Sequence, residues 1–224
     1  MRRLSLFLSL GAVAAAVLFV VPAFAAHGAP VSAAGGGTTT CNGDLAPGTY
    51  HRVVVPQDAV CMGAGPVTIR GGLFVEQGAT LVLGSEDQPV HTATISGGVH
   101  GTNAASVQIH FSTIDGGIDV HGGSGPFGGP FDITWNTIED SHINGRVLIE
   151  GYNGFWMGFI RNEVNGSVSL NHNVLVDPDG NEYVSNTMHG SLYCVGNSPD
   201  PQLGDSEGAK NHVTGTKNGQ CADL

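Results

Sequence analysis

Positive charge is what this chain has least of. Eight Lys and Arg stand against 19 Asp and Glu in 224 residues, a formal net charge of −11. No basic stripe exists to neutralise phosphates, which argues against nucleic acid and anionic lipid as partners. Signatures of chemistry are missing as well: there is no G-x-S-x-G, no P-loop and no H-E-x-x-H. The letters Gly123-Ser124-Gly125-Pro126-Phe127-Gly128 match G-x-G-x-x-G. Pro126 interrupts them and no helix pattern follows, so they do not read as a dinucleotide loop. The four cysteines contain no C-x-x-C pair and the histidines fall at no zinc spacing, so no metal centre is expected from either. Beyond the first 25 residues no apolar run is long enough to cross a bilayer, and no stretch has a convincing helical periodicity.

What is present begins with an export signal. Arg2 and Arg3 precede an apolar core from Leu4 to Val21, and Ala23-Phe24-Ala25 offers a small-x-small cleavage site. Removal of residues 1–25 leaves 8 − 2 = 6 basic residues against 19 acidic ones, a charge of −13. A secreted, extracellular address follows, without a membrane span once the signal is cleaved. The oxidising environment makes Cys41, Cys61, Cys194 and Cys221 disulfide candidates. Three connectivities are possible.

Glycine is abundant at 35 residues, and it recurs in one setting. Thr68-Ile69-Arg70-Gly71-Gly72-Leu73 is followed by Thr94-Ile95-Ser96-Gly97-Gly98-Val99 and Thr113-Ile114-Asp115-Gly116-Gly117-Ile118. Glu163-Val164-Asn165-Gly166-Ser167-Val168 and Thr187-Met188-His189-Gly190-Ser191-Leu192 come later, and His212-Val213-Thr214-Gly215-Thr216 is a relic. A slipped copy starts at Asn136-Thr137-Ile138 and finishes at Gly145-Arg146-Val147. With Ile138 as its anchor, the steps from residue 69 to 213 are 26, 19, 24, 26, 24 and 25 residues. A recurrence near 25 residues built on β-branched residues and glycine indicates a solenoid.

The runs after the turns, such as Val147-Leu148-Ile149-Glu150 and Val168-Ser169-Leu170-Asn171, alternate apolar and mixed residues as half-buried strands do. The expected fold is all-β: a single-stranded, right-handed parallel β-helix with disulfide-stapled ends. Such a stack keeps its ends apart, which favours Cys41–Cys61 and Cys194–Cys221 among the three pairings. The expected organisation is signal peptide 1–25, flexible lead-in 26–40, N-terminal cap 41–66, coils 67–193 and C-terminal cap 194–224. Before the anchors stand Ser112, Asn136, Asn162, Asn186 and Asn211, a candidate ladder of side chains bonding from coil to coil.

These coils and their Asn column resemble the secreted parallel β-helix proteins of the pectate-lyase-like superfamily. The ends, Cys41-Asn42-Gly43-Asp44-Leu45-Ala46-Pro47-Gly48-Thr49-Tyr50 and Leu192 to Pro199 with Lys217 to Cys221, resemble small exported actinobacterial β-helix proteins without an assigned activity. The resemblance spans residues 41–224. It implies architecture and export more than chemistry, because one fold hosts many functions. The lyases of that superfamily use carboxylate-held Ca²⁺ with an Arg or Lys base, and its hydrolases use adjacent aspartates with Gly-His and Arg-Lys pairs. Neither set is found in order here, so no catalytic residue carries over.

If the coils stack in register, His100, Asp119, His121 and Glu150 share one outward patch. Asp119, His121 and Glu150 are then the catalytic candidates, since paired carboxylates could serve an inverting hydrolase. His100 and Trp156 are the ligand-binding candidates, Trp156 being placed in the loop from Gly151. The loop Asp177-Pro178-Asp179-Gly180-Asn181-Glu182 offers oxygen ligands in the manner of a short Ca²⁺ site. The leading functional expectation is an exported, non-catalytic structural or glycan-binding module whose partner is a polysaccharide or cell-wall glycan. A polysaccharide lyase or inverting glycoside hydrolase is the alternative.

Overall fold

The computed structural model describes residues 36–63, 65–124, 135–204 and 208–224. The expected export signal and most of the expected lead-in lie outside them. The described residues form twenty-four short strands, and no helix among them is long and apolar enough to cross a membrane. The strands make three all-parallel sheets of nine, seven and eight strands; neighbours in a sheet are three strands apart along the chain, except at the last step of the nine- and eight-stranded sheets, where they are two apart. This is a parallel β-helix. Each winding contributes one strand per face, and the next winding hydrogen-bonds on top of it.

Branched apolar residues supply the core because inward positions repeat in register. On the nine-stranded sheet Val53, Leu73, Val99, Ile118, Val147, Val168 and Leu192 pair in sequence, all at most 2% exposed. The eight-stranded sheet adds Tyr50, Ile69, Ile95, Ile114, Ile143, Val164 and Met188. The seven-stranded sheet adds Leu83, Ile109, Ile138, Phe159 and Tyr183. The β-branched or long apolar side chains at these inward positions pack against their counterparts one winding away, about 4.8 Å along the stack.

The repeated Gly-Gly has two separate causes. The first glycine is needed for stacking: a Cβ at Gly97 would lie 2.4 Å from the Gly72 amide nitrogen, and one at Gly116 2.4 Å from that of Gly98. The second is needed for conformation, with φ of +99°, +81° and +80° at Gly72, Gly98 and Gly117. Arg146, Ser167 and Ser191 replace it in later windings, where φ is not positive.

The slipped copy is corrected by the register. Ile114 pairs with Ile143, not with Ile138, which belongs to the seven-stranded sheet beside Ile109. The steps there become 143 − 114 = 29 and 164 − 143 = 21 residues. The error arises because Asn-Thr-Ile suits either face, and because this winding carries a long Gly- and Pro-rich segment, 122–134, of which 125–134 lie outside the described residues.

The corner ladder is present with one member exchanged. Ser112 N donates to Ser141 Oγ (3.1 Å), Ser141 N to Asn162 Oδ1 (3.1 Å), Asn162 N to Asn186 Oδ1 (2.8 Å) and Asn186 N to Asn211 Oδ1 (3.0 Å). Ser141 takes the place expected of Asn136, following the same change of register. A second ladder lines another corner: Tyr152 N donates to Asn173 Oδ1, Asn173 N to Asn197 Oδ1 and Asn197 N to Gln220 Oε1. Both satisfy backbone amides that leave the sheets at a bend.

Both disulfides are as expected, Cys41–Cys61 near one end and Cys194–Cys221 near the other, with Cα separations of 5.4 and 5.3 Å. Such bonds are typical of extracellular proteins. Regular pairing nonetheless runs further than the expected coil limits of 67 and 193. Thr38–Thr40, inside the expected lead-in, pairs with Arg52–Val55, inside the expected cap. His212–Val213 and Lys217–Gly219 continue two sheets at the other end. The cap regions lack the Thr-Ile-x-Gly-Gly signature but keep enough extended residues to form rungs.

Candidate functional site

Two outward surfaces carry chemistry. The first is the patch expected from the sequence, on the outer face of the nine-stranded sheet. Register places His100 beside Asp119, and Thr102, His121 and Glu150 in one row. His121 bridges the two carboxylates: Nε2 lies 2.7 Å from Asp119 Oδ1 and Nδ1 2.9 Å from Glu150 Oε1. The three side chains are 40–46% exposed, on an open sheet surface. Nδ1 is hydrogen-bonded to Glu150, whereas Asp119 Oδ1, close as it is to Nε2, has no hydrogen-bond partner. His100 is committed elsewhere. Its ring stacks on Phe74 with centroids 4.9 Å apart, and the Arg52 guanidinium carbon lies 3.8 Å from the Phe74 ring centre. The column Arg52, Phe74 and His100 edges a cavity of about 340 Å³.

Trp156 is not part of that patch. It opens the strand Trp156–Ile160 of the seven-stranded sheet, where the sequence suggests a loop, and it pairs with Trp135 on the neighbouring strand. The two tryptophans line the second surface, a cleft of about 410 Å³ whose walls include Gln108, Thr137, His110, Glu86 and Glu139. Gly158 faces outward between Trp156 and Ile160. A Cβ there would come within 2.2 Å of Trp156 Cη2, so the missing side chain lets the indole lie against the sheet.

One end of the cleft concentrates charge. Glu139 is 2% exposed, and its neighbour in register is His110 at 5%. His110 Nδ1 lies 3.7 Å from Glu139 Oε2 and has no hydrogen-bond partner. Glu86 reaches in from the turn after Thr80–Leu83. Asp140 and Arg161 take equivalent left-handed corners of adjacent windings, φ +50° and +53°, so their side chains meet. Arg161 Nε and Nη2 contact Asp140 at 2.7 Å each, and Nη2 lies 3.3 Å from Glu139 and 3.8 Å from Glu86.

Burial, reinforced by the hydrogen bond to Glu86, pushes the Glu139 carboxyl up to about 8, while the Thr137 hydroxyl that donates to it and Arg161 pull the other way. Glu86 moves down, chiefly through its bond to Glu139. Burial lowers His110, and the bond to Asp140 raises Arg161. Glu139 therefore holds a proton at neutral pH while Glu86 is ionised and His110 neutral.

The Asp177–Gly180 turn uses its oxygens internally. Asp177 Oδ1 accepts from the Asp179 amide, the Asn181 amide donates to the Asn173 and Pro199 carbonyls, and Glu182 is buried. Among the described residues, the His, Cys, Asp and Glu side chains that converge in a group of three are Glu86, His110 and Glu139.

None of those three stands out in the sequence. Assigning Ile138 to the wrong face conceals the signal. Once Ile143 is the anchor, Trp135–Glu139 falls beside both Ser106–His110 and Trp156–Ile160. Comparisons with protein-family models, with curated proteins and with solved structures find no match to this chain.

Proposed function

We propose that this chain is an exported, non-catalytic β-helix protein that binds a polysaccharide or cell-wall glycan in the cleft of the seven-stranded sheet. The observation that carries the reading is the pair Trp135 and Trp156, in register on adjacent strands and lining a cleft with Gln108 and Thr137. Indole faces suit the apolar faces of sugar rings, and amide and hydroxyl groups suit their hydroxyls. The strong negative charge of the chain selects neutral glycans over polyuronates, which it repels. The two disulfides support export.

The test is a glycan array followed by titration calorimetry, both in chelator. A neutral polysaccharide is expected to bind without turnover, and Trp156→Ala to weaken it tenfold or more. Failure of every glycan to bind, or binding that Trp156→Ala leaves unchanged, refutes the reading. A second reading, cleavage by Asp119, His121 and Glu150, is favoured by the imidazole held between two carboxylates. It requires unsaturated or reducing-end products that Asp119→Ala and Glu150→Ala abolish.

A further inference from the structure

We propose that Glu86, His110 and Glu139 form a site for one first-row divalent transition-metal ion, with Zn²⁺ the best match to its donors. Each residue brings one ligand atom, and the three atoms lie within 4.8 Å of one another. Metal bonds of about 2.0–2.2 Å to imidazole nitrogen and carboxylate oxygen place ligand atoms somewhat over 3 Å apart. The 3.7 Å between His110 Nδ1 and Glu139 Oε2 is near that value. Glu86, whose side chain is 59% exposed on a turn, is the ligand free to close the remaining gap.

Independent support comes from His110. The residue is 95% buried, its Nδ1 is inaccessible to solvent, and that nitrogen has no hydrogen-bond partner although it faces the two carboxylates. Buried imidazole nitrogens are ordinarily bonded, so an unpartnered one beside two carboxylates is a donor lacking its acceptor or a ligand lacking its metal.

Charge points to the metal. Glu86, Glu139 and Asp140 surround a single guanidinium, whose two shortest contacts go to Asp140. With Glu139 protonated the group carries one net negative charge; a metal that displaces that proton meets three carboxylates and one guanidinium, two negative charges that a divalent cation neutralises. The imidazole selects against Ca²⁺ and Mg²⁺, which prefer all-oxygen shells, and in favour of Zn²⁺ and its neighbours. Three protein ligands at the side of an open cleft leave a coordination position for water or a ligand hydroxyl, as in catalytic rather than structural zinc sites.

The site is tested on the purified protein, stripped with chelator, dialysed and titrated calorimetrically with Zn²⁺, Mn²⁺ and Ca²⁺ in turn. Co²⁺ is added as a spectroscopic probe. The expected result is one equivalent of Zn²⁺, bound more tightly than Ca²⁺, and visible Co²⁺ absorption of low-symmetry coordination. His110→Ala should weaken Zn²⁺ binding by at least about tenfold. Glu86→Gln should do the same while leaving the unfolding midpoint of the stripped protein in place, because Glu86 is an exposed turn residue. The proposal is overturned by sub-stoichiometric uptake, by a preference for Ca²⁺, or by Zn²⁺ binding that survives both substitutions. No glycan enters the titration, so its failure leaves the glycan reading standing, and failure of the array leaves the metal site standing.

Discussion

Asn186→Ala is the substitution whose cost can be worked most completely from the structure. The side chain is 1% exposed and makes four hydrogen bonds. Its oxygen accepts from Asn162 N (2.8 Å) and Asn162 Nδ2 (3.1 Å), and its Nδ2 donates to Phe159 O (2.6 Å) and Asn211 Oδ1 (2.9 Å). Truncation does not strand all four partners. Asn162 Nδ2 keeps Ile138 O at 2.7 Å, and Asn211 Oδ1 keeps the Asn186 amide at 3.0 Å. The Phe159 carbonyl keeps its place in the strand ladder against Val184, so the Asn162 amide is the group that loses its partner. One such orphan costs about 1–3 kcal/mol, which is the loss expected for the variant. Urea unfolding of the oxidised protein, followed by circular dichroism and intrinsic fluorescence together, measures it. Coincident transitions shifted by that amount support the ladder as a stabilising element. A loss below about 0.5 kcal/mol with an unchanged slope refutes the reasoning, because the orphaned amide would then have found water.

Gly97→Ala should be more damaging than an ordinary surface change, by about 2 kcal/mol or more, since its Cβ meets the Gly72 backbone rather than a movable side chain; thermal melting reads this. Removing the Cys194–Cys221 bridge by paired serine substitutions should lower stability by about 3 kcal/mol, from the 27-residue separation of the two cysteines, as measured by urea titration. His121→Ala should change stability by less than about 1 kcal/mol, because its ion pairs are solvent-exposed, and chelator-treated protein should bind glycan as before. Gly158→Val should weaken glycan binding in calorimetry with the fold intact by circular dichroism, since the new side chain lifts Trp156 from the sheet.

The architecture was legible because stacking leaves a periodic trace. Apolar anchors such as Ile95 and Ile114, the close-packed Gly97 and Gly116, and the corner residues Asn162, Asn186 and Asn211 each answer to a physical need that recurs once per winding. The patch around His121 was legible for the same reason, since counting from the glycine turn gives its register directly. The second ladder was harder to see. Asn173, Asn197 and Gln220 do not share one residue type or one local motif. The cleft was hidden by a different problem, a single winding in which 29 rather than about 24 residues separate the anchors. A solenoid reading is only as good as its count, and one insertion misplaces the strand after it until the next glycine turn restores the register.

The seven-stranded sheet breaks the pattern of burial that the other faces obey. Val147–Glu150 and Val168–Asn171 alternate buried and half-buried residues, as strands with one solvated face should. Ser106–His110 is buried throughout, and Trp135–Glu139 nearly so. A strand buried on both faces is ordinarily apolar on both. Here Val107, Ile109 and Ile138 fill the core, while Gln108, His110, Thr137 and Glu139 are buried on the outer side, at 2–5% exposure. Covering polar groups in this way costs stability unless they are partnered, and His110 Nδ1 is not. The triad on the nine-stranded sheet is 40–46% exposed, so its ion pairs count for little in stability. The physically expensive arrangement is the one under the tryptophans. On energetic grounds, the proposed binding at this cleft would give those buried polar residues a purpose that folding alone does not.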